Sequence, residues 1–253
     1  MDYRFKYLLR RVFRQADRFT LYNLSPLLIY IVGLLVLIIG FLSLEEPTMI
    51  RLLYSLTGFM ATVWIFSMVI LNKNDAYVKD SILKVNYIPL YLRILPAMIY
   101  QTIIFIIFLT LYSAVTGLFV DDWLLNIYTF IYYISLGLIL TIPFTMLFLG
   151  VSMRLNTNKI NILLFLIVLI VVPIFYLPEQ LPGWLLNLLS LNPFYYVING
   201  IQNNTISQAW SLNRLPYDVL YFTQVFILYL WMFEAYNKMK IQLYNNKDSM
   251  PKS

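Results

Sequence analysis

Runs of apolar residues uninterrupted by charge dominate the chain. They extend from Thr20 to Leu44, Leu52 to Asn72, Ile94 to Val120, Trp123 to Met153 and Ile160 to Pro178, and a shorter one from Val219 to Phe233 is extendable at both ends. A helix needs about 20 apolar residues to cross a bilayer, so the pattern predicts an all-α membrane protein with six transmembrane helices. The first run is too long for the core of a removable signal peptide, and no small-residue cleavage site follows it.

Two stretches depart from this pattern. In the first, residues 1–20, placement at 100° per residue puts Phe5, Leu8, Leu9, Val12, Phe13, Ala16 and Phe19 on one arc. Arg4, Lys6, Arg10, Arg11, Arg14, Asp17 and Arg18 fall on the other. Such a helix lies in the interface plane, its basic face toward anionic headgroups.

The second runs from Val172 to Ile201. It is apolar enough for a membrane interior but is cut by Pro173, Pro178, Pro182 and Pro193. Each proline removes a backbone donor and disfavours helix in the residue before it, so the stretch must dip and return. Pro182 or Gly183 starts a short helix through Leu191, ended by Asn192 and Pro193, and a second runs from Phe194 to about Thr205. Neither is long enough to span. Broken backbone at membrane depth is tolerated only where protein buries it or where it lines a cavity. The expectation for residues 177–214 is therefore a pair of re-entrant gate helices between spans five and six. An interfacial aromatic belt of Trp184, Phe194, Tyr195 and Tyr196 is the simpler reading of the same residues, but it leaves the proline spacing unexplained.

Charge sets the orientation. Of the 18 basic residues, 16 fall in the N-terminal segment, the second-to-third connection, the fourth-to-fifth connection and the tail; Arg51 and Arg214 alone lie on the other side. By the positive-inside rule both termini are cytoplasmic. The net charge of +6 is thus a topology signal rather than a nucleic-acid footprint. The cytoplasmic connection at 72–93, NKNDAYVKDSILKVNYIPLYLR, is longer than a hairpin needs. It mixes charge with apolar residues, and a short helix from Asp75 to Val85 fits before Pro89. It reads as a docking element or as a solvated loop with a snorkelling basic rim.

Composition removes chemistry rather than adding it. With 61% hydrophobic residues and 12% charged, the chain is an integral membrane protein. It has no cysteine and no histidine, which excludes disulfides, thiolate metal sites and histidine acid-base chemistry; no metal site is expected. None of the eight glycines is followed by lysine, so no phosphate-cradling loop exists and the chain does not hydrolyse ATP itself. The interiors of the six runs hold no Asp, Glu, Lys or Arg, and ion-coupled carriers need ionisable groups at that depth. Energy for uphill transport must come from a cytoplasmic partner. Aromatic residues make up 17% of the chain, and a minority of them suit a conduit in which ring faces stack on sugars and Tyr hydroxyls bond their edges.

Two segments carry a family resemblance. Ile82 to Pro96, ILKVNYIPLYLRILP, and Pro173 to Gly200, PIFYLPEQLPGWLLNLLSLNPFYYVING, resemble the permease subunits of type-2 (ABC-2) ABC exporters. The closer likeness is to the polysaccharide branch, which carries teichoic acids, O-antigens and capsules. The order of parts agrees over nearly the whole chain, which reads as a single permease domain, 1–253. Asp17 to Phe19 replace the family's usual basic run before the first span, and Tyr87 and Ile88 stand where one aromatic residue is commoner.

The resemblance implies that Lys84, Val85, Asn86, Pro89 and Leu90, with Lys79 on the same loop, couple to an ATPase. It implies that Leu181, Pro182, Trp184, Leu191, Asn192, Pro193 and Tyr196 shape the outer gate. It further implies two copies of a cytoplasmic ABC ATPase carrying ATP and Mg, no cofactor on this chain, a second copy of this chain, and a lipid-linked glycan as cargo in the bacterial cytoplasmic membrane. The Lys, Asn and Ile bias of the loops favours a Gram-positive teichoic acid. A drug or peptide exporter of the same fold is the alternative. A membrane scaffold without transport, or a lipid-modifying enzyme, belongs to other classes, and the latter lacks the buried acids, His and Cys its chemistry needs.

Overall fold

The computed structural model describes Arg10, Val12 and residues 21–76, 90–120, 126–155, 181–207 and 215–245. The described residues form helices α1 (Leu21–Ser43), α2 (Glu46–Ala76), α3 (Leu90–Phe119), α4 (Ile127–Leu155), α5 (Gly183–Ser190), α6 (Pro193–Ser207) and α7 (Leu215–Asn245). Among them no strand occurs. Five stretches are long and apolar enough to cross a membrane: Ser25–Ser43, Thr48–Ile70, Ile94–Phe119, Ile127–Leu149 and Pro216–Asn237. These match five of the six expected spans. The expected fifth span, Ile160 to Pro178, lies outside the described residues.

Boundaries shift where the charge count alone was followed. α2 begins at Glu46 and continues to Ala76, so Arg51 and Asp75 are helical rather than loop residues. The expected short helix at Asp75 therefore begins as the end of α2, and the rest of it lies outside the described residues. Pro26, Pro96 and Pro143 sit within helices that continue through them. Membrane helices tolerate this because neighbouring helices and hydroxyl side chains satisfy the freed carbonyls.

α2 is the hub. It packs against α1, α3, α4 and α6, while α7 packs chiefly on α4 and α5 on α6. Its side chains suit burial between helices in lipid, where close packing and interhelical hydrogen bonds replace the hydrophobic drive. Thr57, Thr62 and Ser67 return their hydroxyls to the carbonyls of Leu53, Gly58 and Trp64, each at 2.8 Å, so none costs an unmet donor. Trp64 stacks on Phe105 of α3 (4.8 Å, 6°) and donates its indole N–H to Thr102 at 3.2 Å. On the α4 side Gly137 lies so close that a Cβ there would come within 2.6 Å of the Trp64 ring.

α1 shows how the outer helices are patterned. Pro26, Tyr30, Gly33, Leu37 and Gly40 are buried at spacings of three and four, while Leu28, Val32, Leu35, Ile39 and Leu42 are exposed. α7 repeats this, with Tyr221, Val225 and Met232 inward and Val219, Phe222, Phe226, Leu230 and Phe233 outward. Exposed apolar faces of this length on candidate spans suit contact with lipid or with another apolar helix.

Candidate functional site: the α5–α6 corner

The expected break at Leu191 to Pro193 is present. Pro182 is the residue before α5, in extended backbone (φ −63°, ψ 143°), and its carbonyl accepts the amides of Leu185 at 2.9 Å and Leu186 at 3.2 Å. Leu191 closes α5, and its amide bonds the Leu188 carbonyl at 3.2 Å. Asn192 then caps α6: its Oδ1 accepts the Phe194 amide at 3.0 Å, and its own amide donates to Leu189 O at 2.9 Å. Pro193 takes the first position of α6, where a missing N–H costs nothing. These local rules make the corner rigid in shape.

Its depth follows from its partners. Gln224 of α7 donates its side-chain Nε2 to the Leu191 carbonyl at 2.9 Å. Gln224 stands nine residues after Leu215, so the corner lies about 14 Å along α7 from its start. From there α6 runs antiparallel to α4. Phe194 meets Phe144 edge-on at 4.8 Å, Gly200 lies under the Tyr133 ring, and Asn204 donates to the Asn126 carbonyl at 3.2 Å.

α6 is not a loose lid. Val197, Ile198, Ile201 and Gln202 have no solvent exposure. Tyr54 donates to Asn199 Oδ1 at 2.9 Å, Gln202 Nε2 donates to the Tyr54 carbonyl at 3.1 Å, and Thr205 reaches Thr57 at 3.4 Å. Thus one face of α6 is bonded to α2 and another is pressed onto α4. α5 differs: Trp184 is 70% exposed, Leu188 59% and Leu191 60%. These three lie on one side of a helix whose other side, at Leu189, is buried.

At the end of the bundle where α4 and α7 begin, one acid ties three helices. Asp218, in the first turn of α7, accepts a hydroxyl from Tyr132 of α4 at 2.9 Å and another from Tyr196 of α6 through the same oxygen, Oδ1. Around it the rings of Tyr132 and Tyr133 (5.3 Å), Tyr133 and Tyr196 (5.8 Å), and Tyr196 and Tyr221 (5.1 Å) are in contact. Tyr221 donates to the Leu136 carbonyl at 2.6 Å.

The sequence-predicted residues divide accordingly. Leu181 through Tyr196 come together at the corner, although Trp184 and Leu191 point outward rather than into the bundle. Lys79, Lys84, Val85, Asn86 and Pro89 lie outside the described residues, and Leu90 is the first residue of α3. Of the basic face, Arg10 is helical and exposed, while Arg11, Arg14 and Arg18 lie outside the described residues. Asp218, Asn199, Gly200, Gln202 and Gln224 do not stand out in the sequence as site residues. The signal was present in the polar stripe Asn199, Gln202, Asn203 within an apolar segment; its partners on α2 were not legible. Among the described residues no cluster of metal-ligating side chains occurs.

No curated protein matches the chain significantly. The family description that does match is ABC-2 type transporter, over residues 3–206, which takes in α1 to α4 and nearly all of the α5–α6 corner. This chain, an integral membrane protein of packed apolar helices with a broken pair inserted among them, therefore belongs to the ABC-2 type transporter family.

Proposed function

We propose that the chain is the membrane permease of an ATP-driven exporter in the bacterial cytoplasmic membrane, moving a lipid-linked polysaccharide such as a teichoic acid. Members of this family generally form the membrane component of an ABC transporter and work with a cytoplasmic ABC ATPase. The observation that carries the reading is the α5–α6 corner. Two helices too short to span meet at Leu191, whose carbonyl accepts Gln224 eight residues into the Pro216–Asn237 stretch of α7, an arrangement that suits a re-entrant gate.

In this reading two copies of the chain form the conduit, and two ATPase subunits carrying ATP and Mg dock on the cytoplasmic loop around Lys79, Lys84, Val85, Asn86, Pro89 and Leu90. Both termini face the cytoplasm, and Arg10, Arg11, Arg14 and Arg18 hold the N-terminal helix on anionic headgroups. Movement of the loop passes through the rigid α2 hub to the corner. The family resemblance of the Pro173 to Gly200 segment supports the glycan cargo, as does the supply of Tyr and Trp side chains for a sugar to slide over.

The test is reconstitution with a candidate cytoplasmic ABC ATPase from the same organism. Stimulation of ATP hydrolysis by lipid-linked glycans supports the reading, and stimulation by hydrophobic drugs alone replaces the cargo with that of the alternative exporter. Charge reversal at Lys79 and Lys84 should abolish co-purification with the ATPase; unchanged co-purification would remove the docking loop from the proposal.

A further inference from the structure

The seams around α6 are not equally strong, and their chemistry ranks them. Parting α6 from α2 would take the Tyr54 carbonyl from the fully buried Gln202 Nε2 and break the Tyr54–Asn199 bond, and an unmet buried polar group costs more than a bond gains. Parting α6 from α4 would pull Gly200 from beneath the Tyr133 ring, a contact closer than any other side chain would allow. The seam with α7 is different. α7 meets α6 through the Tyr196 bond to Asp218, the Tyr196–Tyr221 ring contact and the Gln224 bond to Leu191 at the corner. Asp218 is only partly buried, so water can take the place of the tyrosine hydroxyls when they leave.

We infer that Asp218 is the latch of the gate: its carboxylate, by accepting Tyr196 and Tyr132 together, holds the α6–α7 seam shut, and this seam is the one that parts when the corner opens. Asp218 acts as a positioning residue, fastening α7 to α4 and α6 through their hydroxyls rather than touching cargo. A carboxylate suits this role because hydrogen bonds to a charged acceptor are stronger than neutral ones yet remain exchangeable where water reaches. The Gln224 bond to the Leu191 carbonyl, farther along α7 at the exposed side of the corner, is exchangeable in the same way, so nothing in this seam leaves a buried polar group unmet when it parts. The inference rests on the gate reading, but its test needs neither ATPase nor cargo.

The chain has no cysteine, so one introduced thiol reports alone. Val225→Cys places it on the same face of α7 as Asp218 and Tyr221, where Val225 is 3% exposed. Met232→Cys places it farther along that helix, at a site 9% exposed in a separate apolar cluster with Ile94, Met146 and Leu149. Both variants would be purified in lipid nanodiscs and labelled with a small water-soluble maleimide. Adding Asp218→Ala should raise the labelling rate at position 225 by about tenfold and leave position 232 unchanged. Asp218→Asn, which keeps an acceptor oxygen, should fall between. Should Asp218→Ala not fold, Tyr196→Phe together with Tyr132→Phe removes both hydroxyls while keeping the rings, and the same selective rise is expected. An unchanged rate at 225 in folded protein, or an equal rise at both positions, would overturn the latch; in either case the exporter reading would stand on its own test.

Discussion

Gly200 offers the sharpest test of how α6 is seated. An alanine there would set its Cβ far inside contact distance of Cε1, Cζ and Cδ1 of Tyr133. Carbon atoms rest about 3.5–4.0 Å apart, so either the ring or α6 must retreat by more than an ångström. The ring has little room, being buried and flanked by Tyr132 and Tyr196. Overpacking of this sort costs about 2–3 kcal/mol. Exchanging glycine for alanine within a helix returns about 1 kcal/mol, which leaves a net loss of about 1–2 kcal/mol. The control is Gly33→Ala, where the nearest atom is the flexible end of Met60 at 3.7 Å, so the propensity gain should stand unopposed. Thermal melts of the purified protein should show Gly200→Ala several degrees below wild type and Gly33→Ala at or above it. Combining Gly200→Ala with Tyr133→Ala should cost less than the sum of the two, because the second change vacates the space the first requires. Tyr133→Phe should give no such relief, since the clashing atoms are ring carbons. A Gly200→Ala protein as stable as wild type, or an additive cycle with Tyr133→Ala, would refute the reasoning.

Two further expectations concern the bonds that α2 makes. Tyr54→Phe and Asn199→Ala each remove the same 2.9 Å bond, so a double-mutant cycle should return a coupling of roughly 0.5–1.5 kcal/mol; zero coupling would mean that α6 is held to α2 by packing alone. Gln101 is buried, accepts a bond from Ser67 at 3.1 Å and has an Nε2 with no partner among the described residues. Gln101→Met should therefore be neutral or raise stability by up to about 1 kcal/mol, because Ser67 still bonds the Trp64 carbonyl and an unmet donor is removed. A clear drop in melting temperature would show that this amide has a use the bond pattern does not reveal.

The helical class, five of the spans and the position of the broken corner were legible because each rests on local chemistry. Span length follows from uninterrupted apolar runs, and the corner from Asn192 followed by Pro193, which both end one helix and cap the next. The residues that give the corner its place were not legible. Asp218 reads as a loop acid in sequence because its two partners, Tyr132 and Tyr196, stand 86 and 22 residues away. Gln224 reads as a stray polar residue in an apolar run until the Leu191 carbonyl is brought against it.

By itself, then, the sequence determined what must lie in a bilayer and where the backbone cannot continue as helix, since both depend on side chains within a few residues of one another. Only the tertiary structure decided that α2 is the hub, that α6 is wedged between α2 and α4 while α5 stays exposed, and that one carboxylate joins three helices. Those outcomes depend on which helix faces meet. In a chain apolar on nearly every face, hydrophobic patterning hardly distinguishes one neighbour from another, and the choice falls to small residues and a few hydrogen bonds. Gly200 admits the Tyr133 ring, Gly137 admits Trp64, and Tyr54, Gln202 and Asp218 hold the helices once they have met.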